Sequence, residues 1–229
     1  MGEKKKKEEA MKTVKKVLIV GACVLFVVLM VLSGTGSHWL TMFSSVRPGD
    51  SVVVDYTIFD AAGQPIVTSE KATYDTVVAK SRQIFGSKQL TIIANQTIEK
   101  PIYSVPVYPS NGAGVKQLAI FSAEYNVITS AIIGMKVNEQ KRVPIVLNTS
   151  MTQDWSVEQL AQNKINLTDI NIGDNFFMGV SDNPEAVANN TTATTYLRIG
   201  EVANKSPDGV IVDFSYPSID VRVISINKG

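Results

Sequence analysis

The chain has 229 residues but only one cysteine, Cys23, and one histidine, His38. A single cysteine excludes a disulfide scaffold and a cysteine-ligated metal site. A single histidine excludes a His–Asp catalytic relay and a histidine-rich metal site in the rest of the chain. A glycine-rich nucleotide loop is also missing, so the usual apparatus of a hydrolase or oxidoreductase is not there. No cofactor and no metal are expected. The net charge is +1, and seven lysines fall within the first sixteen positions. Further along, no basic stripe interleaves with aromatic residues, so nucleic acid is not an expected partner.

What is present begins with that basic tail, residues 1–16. An unbroken apolar run follows, Val17 to Leu32, and no charge appears before Arg47. The uncharged stretch is long enough for a bilayer of ~30 Å. It predicts a transmembrane signal anchor over residues 17–40. Lysines on its near side predict a cytoplasmic N-terminus in a single-pass cell-membrane protein, with Trp39 and Phe43 at the outer interface. A cleaved signal peptide has the same charged and apolar regions and stands as the alternative. Both readings put residues 46–229 outside the cytoplasm. Six N-x-[ST] sequons agree with that placement, at Asn95, Asn148, Asn166, Asn189, Asn190 and Asn204.

Downstream, Ser51–Phe59 is rich in β-branched residues and predicts a strand, with a turn at Asp60-Ala-Ala-Gly63 and a return at Gln64–Thr68. Glu70–Arg82 has helical spacing, Leu90–Ala94 is strand-like, and the prolines and glycines of Lys100–Gly114 suggest a loop or edge. Gln117–Phe121 then predicts a strand entering a helix over Glu124–Ile133. Gly134 suits the left-handed residue that closes a helix. Asn138–Lys141 reads as a turn, and Arg142–Leu147 as a strand. Beyond a helical turn near Asp154–Leu160 come extended runs at Ile170–Val180, Tyr196–Val202, Gly209–Phe214 and Ser218–Ile226.

Two stretches carry a family resemblance. Ala131-Ile-Ile-Gly-Met-Lys-Val-Asn-Glu-Gln-Lys-Arg-Val-Pro-Ile145 resembles the helix-to-strand passage of the FKBP family of peptidyl-prolyl isomerases. Gly49, Asp50, Val52, Val54, Tyr56, Gly63 and Ser69 resemble that family's opening strands. The runs Ile170-Asn-Ile-Gly-Asp-Asn-Phe176 and Val210-Ile-Val-Asp-Phe214, before a closing strand, are similar in order to the SlyD-type subgroup, which carries a small β domain in its flap. The resemblance implies an α+β fold: a curved antiparallel half-barrel sheet with one short helix, a small inserted β domain, and the transmembrane helix in front. The expected division is 46–150 for the first part of the FKBP-like domain, 151–214 for the insert and 215–229 for the closing strand.

The resemblance also implies a site. Prolyl isomerisation needs no nucleophile, because its barrier of ~18–20 kcal/mol is amide resonance, overcome by twisting and desolvating the imide. The family's pocket positions fall on Tyr56, Ile66, Val67 and Ile128, with Tyr125 entering if the register slips by one residue. An aromatic–acid pair is replaced by Ile66-Val67, and the flap tyrosine position falls in Thr149-Ser150-Met151, where there is none. Isomerase activity is therefore expected to be weak or lost. Plain core packing is the other reading of these side chains. In the insert, Phe176, Phe177, Met178 and Val180 have the character of a surface that binds extended polypeptide. With two adjacent phenylalanines, one packs the insert and the other is free. Two functions follow: a folding helper for unfolded or proline-containing chains, or a non-catalytic interaction module in a membrane complex or cell envelope.

Overall fold

A computed structural model describes residues 15–30, 44–147, 150–183, 185 and 194–227. Two compact units divide the chain, residues 1–44 and 45–229. In the first, residues 15–30 form helix α1. Its described length is about 24 Å at 1.5 Å per residue, short of a ~30 Å hydrocarbon core. Among the described residues, no helix is long and apolar enough to cross a membrane. The expected transmembrane helix is thus corrected: among the described residues the apolar helix covers 15–30, and none reaches a membrane-spanning length. Trp39 and Phe43, its expected interfacial anchors, lie outside the described residues.

The second unit is a curled sheet. Its strands are β1 (Ser51–Phe59), β2 (Pro65–Thr68), β3 (Phe85–Ser87), β4 (Leu90–Ile93), β5 (Ile102–Pro109), β6 (Lys116–Phe121), β7 (Gln140–Pro144), β8 (Thr152–Ser156), β9 (Asn175–Ser181), β10 (Thr195–Ser206), β11 (Gly209–Asp213) and β12 (Ser218–Asn227). The helices are α2 (Lys71–Ala79), α3 (Ser122–Ala131) and α4 (Val157–Gln162), with a 3₁₀ turn at Leu167–Asp169. The strand order is β7-β12-β1-β2-β3-β5-β6-β10-β11-β8, with β4 beside β1 and β9 beside β10.

This corrects the expected fold class in two further respects. The sheet is mixed, not antiparallel, because β2 runs parallel to β3 and β10 parallel to β6. Several helices accompany it, not one. Lys100–Gly114 also differs from expectation. Ile102–Pro109 is a full strand with partners on both sides, β3 and β6. Pro106 sits in it opposite Gln117. The alternation of Val105, Val107 and Pro109 into the core outweighs the proline signal.

Strand β1 is the spine. It pairs with β12 over its whole length, with a bulge at Val53/Val54, and with β2 and β4 on its other side. Helix α3 packs into the curl through Tyr125, Ile128 and Thr129, and Ile132 just beyond it is fully buried. Gly134, at φ +83, lets the chain turn out of the helix, and its N–H donates to the Val46 carbonyl. One hydrophobic cluster fills the curl around β1, β12, β5, β6 and α3. A second, smaller cluster consists of Leu160, Ile170, Phe176, Val202, Val210, Val212 and Phe214. Strand β10 spans both clusters. Its first half pairs with β9 and its second with β11, the exchange occurring at Glu201.

Candidate functional site

The five positions expected to line an isomerase pocket converge in the first cluster. Each is at most 4% exposed. The Tyr56 hydroxyl donates to Ser87 Oγ at 2.6 Å, and burial drives its pKa well above the usual phenol range. Tyr125 stacks on Tyr103 with ring centroids 4.3 Å apart. Burial first, and Tyr103 second, push its hydroxyl up to about 12. Val67 and Ile128 are core residues, and Ile66, though buried, lines a cleft described below. These side chains share one core and present almost no surface to a ligand.

Beside them lies a group that sequence reasoning missed. Arg198 of β10 and Glu124 of α3 form an ion pair at 0% and 1% side-chain exposure. The guanidinium is bidentate, with Nη1 to Oε2 at 2.9 Å and Nη2 to Oε1 at 2.6 Å. Nε and Nη2 also donate to the Phe214 carbonyl, and Nη1 to that of Ala119. The ring of Tyr216 lies 3.5 Å from the guanidinium carbon and that of Phe121 4.6 Å. Glu124 Oε2 accepts in addition from the Phe121 backbone N–H, which caps the helix start. All five guanidinium donors are thereby used, and the helix start is closed from within the fold. Strand alternation sets Arg198 on the face opposite Leu197 and Ile199, as for a solvent-facing residue, so the sequence carried no signal of its burial.

The open surface is at β9. Phe176 is buried in the second cluster, where Trp155 lies 4.9 Å and Phe214 6.3 Å from it, centroid to centroid. Phe177, on the opposite face, is 43% exposed. Its ring meets Phe85 edge-on at 5.8 Å. Together they line a groove of about 250 Å³ with Pro109, Ala113, Lys116 and Leu197. Met178 packs the margin of the second cluster, and Val180 is half-buried opposite Tyr196. Of the four expected binding residues, Phe177 alone is exposed.

Among the described residues β9 pairs only with β10, so its other edge carries free backbone donors and acceptors. The two ends of the strand order differ from it. Strand β7 carries Lys141, Arg142 and Pro144, and β8 carries Asp154, charges and a proline that discourage strand addition. Strand β9, Asn-Phe-Phe-Met-Gly-Val-Ser, has neither.

A larger cleft of about 710 Å³ adjoins this margin, between Asp60–Ile66, helix α2 with Lys80–Gln83, and Gly173–Asn175. Two buried carboxylates flank it. Glu201 Oε2 accepts from the Ala62 N–H at 2.9 Å, and Asp60 Oδ1 from the Gln64 N–H at 2.6 Å. Burial holds the Asp60 carboxyl above the usual aspartate range, the Gln64 N–H opposing and the Glu201 charge adding.

Of the sequon asparagines, Asn95, Asn166 and Asn204 are exposed, while Asn148, Asn189 and Asn190 lie outside the described residues, as does Thr149 of the flap position. No grouping of three potential metal ligands occurs among the described residues. No protein-family model matches the chain, and no curated protein matches it.

Proposed function

We propose that this chain is a polypeptide-binding folding helper on an FKBP-like scaffold, with isomerase activity weak or lost. An unfolded segment adds as a strand to the free edge of β9 and places an apolar side chain against Phe177. The observation that carries the reading is Phe177, exposed on an uncharged strand whose outer edge has no partner among the described residues, above an aromatic-lined groove. Strand addition supplies affinity through main-chain hydrogen bonds that any sequence offers, and the groove supplies preference. That combination suits a binder of many unfolded chains. The burial of Tyr56, Val67, Tyr125 and Ile128 supports the second half of the reading, since an imide must contact a site to be twisted by it.

Two assays on the whole chain test this. Aggregation of an unfolded protein should be suppressed, and Phe177→Asp should abolish suppression without unfolding the chain. Turnover of a short X-Pro peptide should stay near the uncatalysed rate. Fast turnover that survives Phe177→Asp and falls with Tyr56→Phe would instead make the first cluster a working pocket. Inactivity in both assays would leave an interaction module for a folded partner.

A further inference from the structure

We infer that the segment taken up at β9 is apolar in its middle and basic at both ends. This rests on the strand-addition reading above. Strand β9 itself, Asn175–Ser181, carries no charge. An aspartate stands directly before it and another directly after it, Asp174 and Asp182. They are eight positions apart in the chain, about 26 Å at the strand repeat. A strand laid along the free edge brings its own residues within about 5 Å of those it faces. Its middle then meets Phe177 and the groove, and its two ends meet the two carboxylates. An acid at each end makes this hold for either strand direction.

The sign of the surroundings agrees. Among the described residues neither Asp174 nor Asp182 forms an ion pair. Asp174 is exposed and accepts from the backbone and side-chain amides of Asn171, which leave its charge in place. Asp182 is half-buried and accepts from the Tyr196 hydroxyl at 3.1 Å. In the cleft beside Asp174, Lys80 and Arg82 stand against Asp60 and Asp174, with Glu201 at the edge, so acids outnumber cations. Lys116 lines the groove beside Phe177, so a base is disfavoured in the middle of the segment, where Phe85, Pro109 and Leu197 form an apolar wall. Residues 151–214, which include β9, hold nine Asp and Glu against three Lys and Arg, in a chain of net charge +1. One of the three, Arg198, is spent on Glu124. Basic ends complement that surface and steer the encounter. A second copy fits less well. Paired antiparallel about Met178, the middle of β9, it would set Asp174 against Asp182 at both ends.

Labelled, capped peptides test this by fluorescence anisotropy on the whole chain. Each has a phenylalanine at the centre of an uncharged apolar stretch, and lysine, glutamine or glutamate at both ends, eight positions apart. The lysine-ended peptide should bind roughly fivefold to tenfold tighter than the glutamate-ended one, as expected for two exposed charge pairs, with glutamine between. High salt should shrink the preference. The double variant Asp174→Asn, Asp182→Asn should remove most of it, and Phe177→Ala should weaken all three peptides. A preference left intact by the double variant overturns its assignment to the ends of β9. Equal affinity for lysine and glutamate peptides, with Phe177→Ala still weakening both, overturns the charge inference and leaves strand addition standing. Binding indifferent to Phe177→Ala overturns the reading beneath it. An oligomer that Phe177→Ala converts to monomer makes the occupant a second copy and overturns the inference.

Discussion

Helix α3 and strand β9 both bring aromatic side chains to the curled sheet, with opposite outcomes. Around α3, Tyr125 stacks on Tyr103, and the Glu124–Arg198 pair takes up the polar groups at the helix start. Along β9, Phe176 enters a core and Phe177 does not. The difference lies in what covers each element. Helix α3 is wrapped by sheet and by the β11–β12 connection, whose Phe214 carbonyl anchors Arg198. Among the described residues, strand β9 has a neighbour on one edge only. Resemblance to a catalytic family therefore points at the region least able to meet a ligand, and the open margin is where binding is expected.

The comparison can be broken most forcefully at the ion pair. Arg198→Met alone or Glu124→Leu alone leaves a buried, unpaired charge and should cost about 3–5 kcal/mol in urea unfolding. The double variant should cost clearly less than the sum of the two, because neither charge is stranded. Additive losses would show that the pair is not coupled. Next come the adjacent phenylalanines. Phe176→Ala should cost about 3–5 kcal/mol by emptying the second cluster. Phe177→Ala should cost about 1 kcal/mol or less while weakening peptide binding. Equal stability losses would contradict the assignment of one ring to the core and one to the surface.

Gly200→Ala sharpens the packing of that second cluster. A Cβ there would lie 2.6 Å from the Phe214 ring and 2.8 Å from Val212, so a loss of about 1–3 kcal/mol is expected. The smallest effect is at Asp60. Its folded pKa is raised, so its ionised form opposes folding at neutral pH and its protonated form does not. Asp60→Asn should therefore raise Tm slightly at neutral pH. The advantage should vanish as pH falls through the raised value toward the ordinary 3.8. An advantage that grows on acidification would reverse the sign.

Many of the strands were legible because Ser51–Phe59 is rich in β-branched residues and Ser218–Asn227 alternates; the structure pairs these two. The closure of α3 was legible at Gly134, where the backbone takes positive φ. Less legible was the sense of pairing. Nothing local in Val67-Thr68 or Phe85-Gly86 says that they run parallel, since that depends on the intervening α2 crossover. The apolar run at Val17–Leu32 satisfied a composition rule, whereas among the described residues no helix is long and apolar enough to cross a membrane. In the candidate site, the split between Phe176 and Phe177 follows from strand alternation alone. The Arg198–Glu124 pair does not, because it joins residues 74 positions apart. The cleft beside Asp60 is likewise built from three separate chain segments.

Amide hydrogen exchange on the whole chain, with and without an excess of a permanently unfolded polypeptide, tests the central claim most directly. Strand addition should slow exchange at the β9 amides, Asn175–Ser181, and leave those around Tyr56, Ile66 and Tyr125 unchanged. Slowing confined to those first-cluster positions, with β9 unaffected, would contradict it and return the function to the pocket of the family that the sequence resembles.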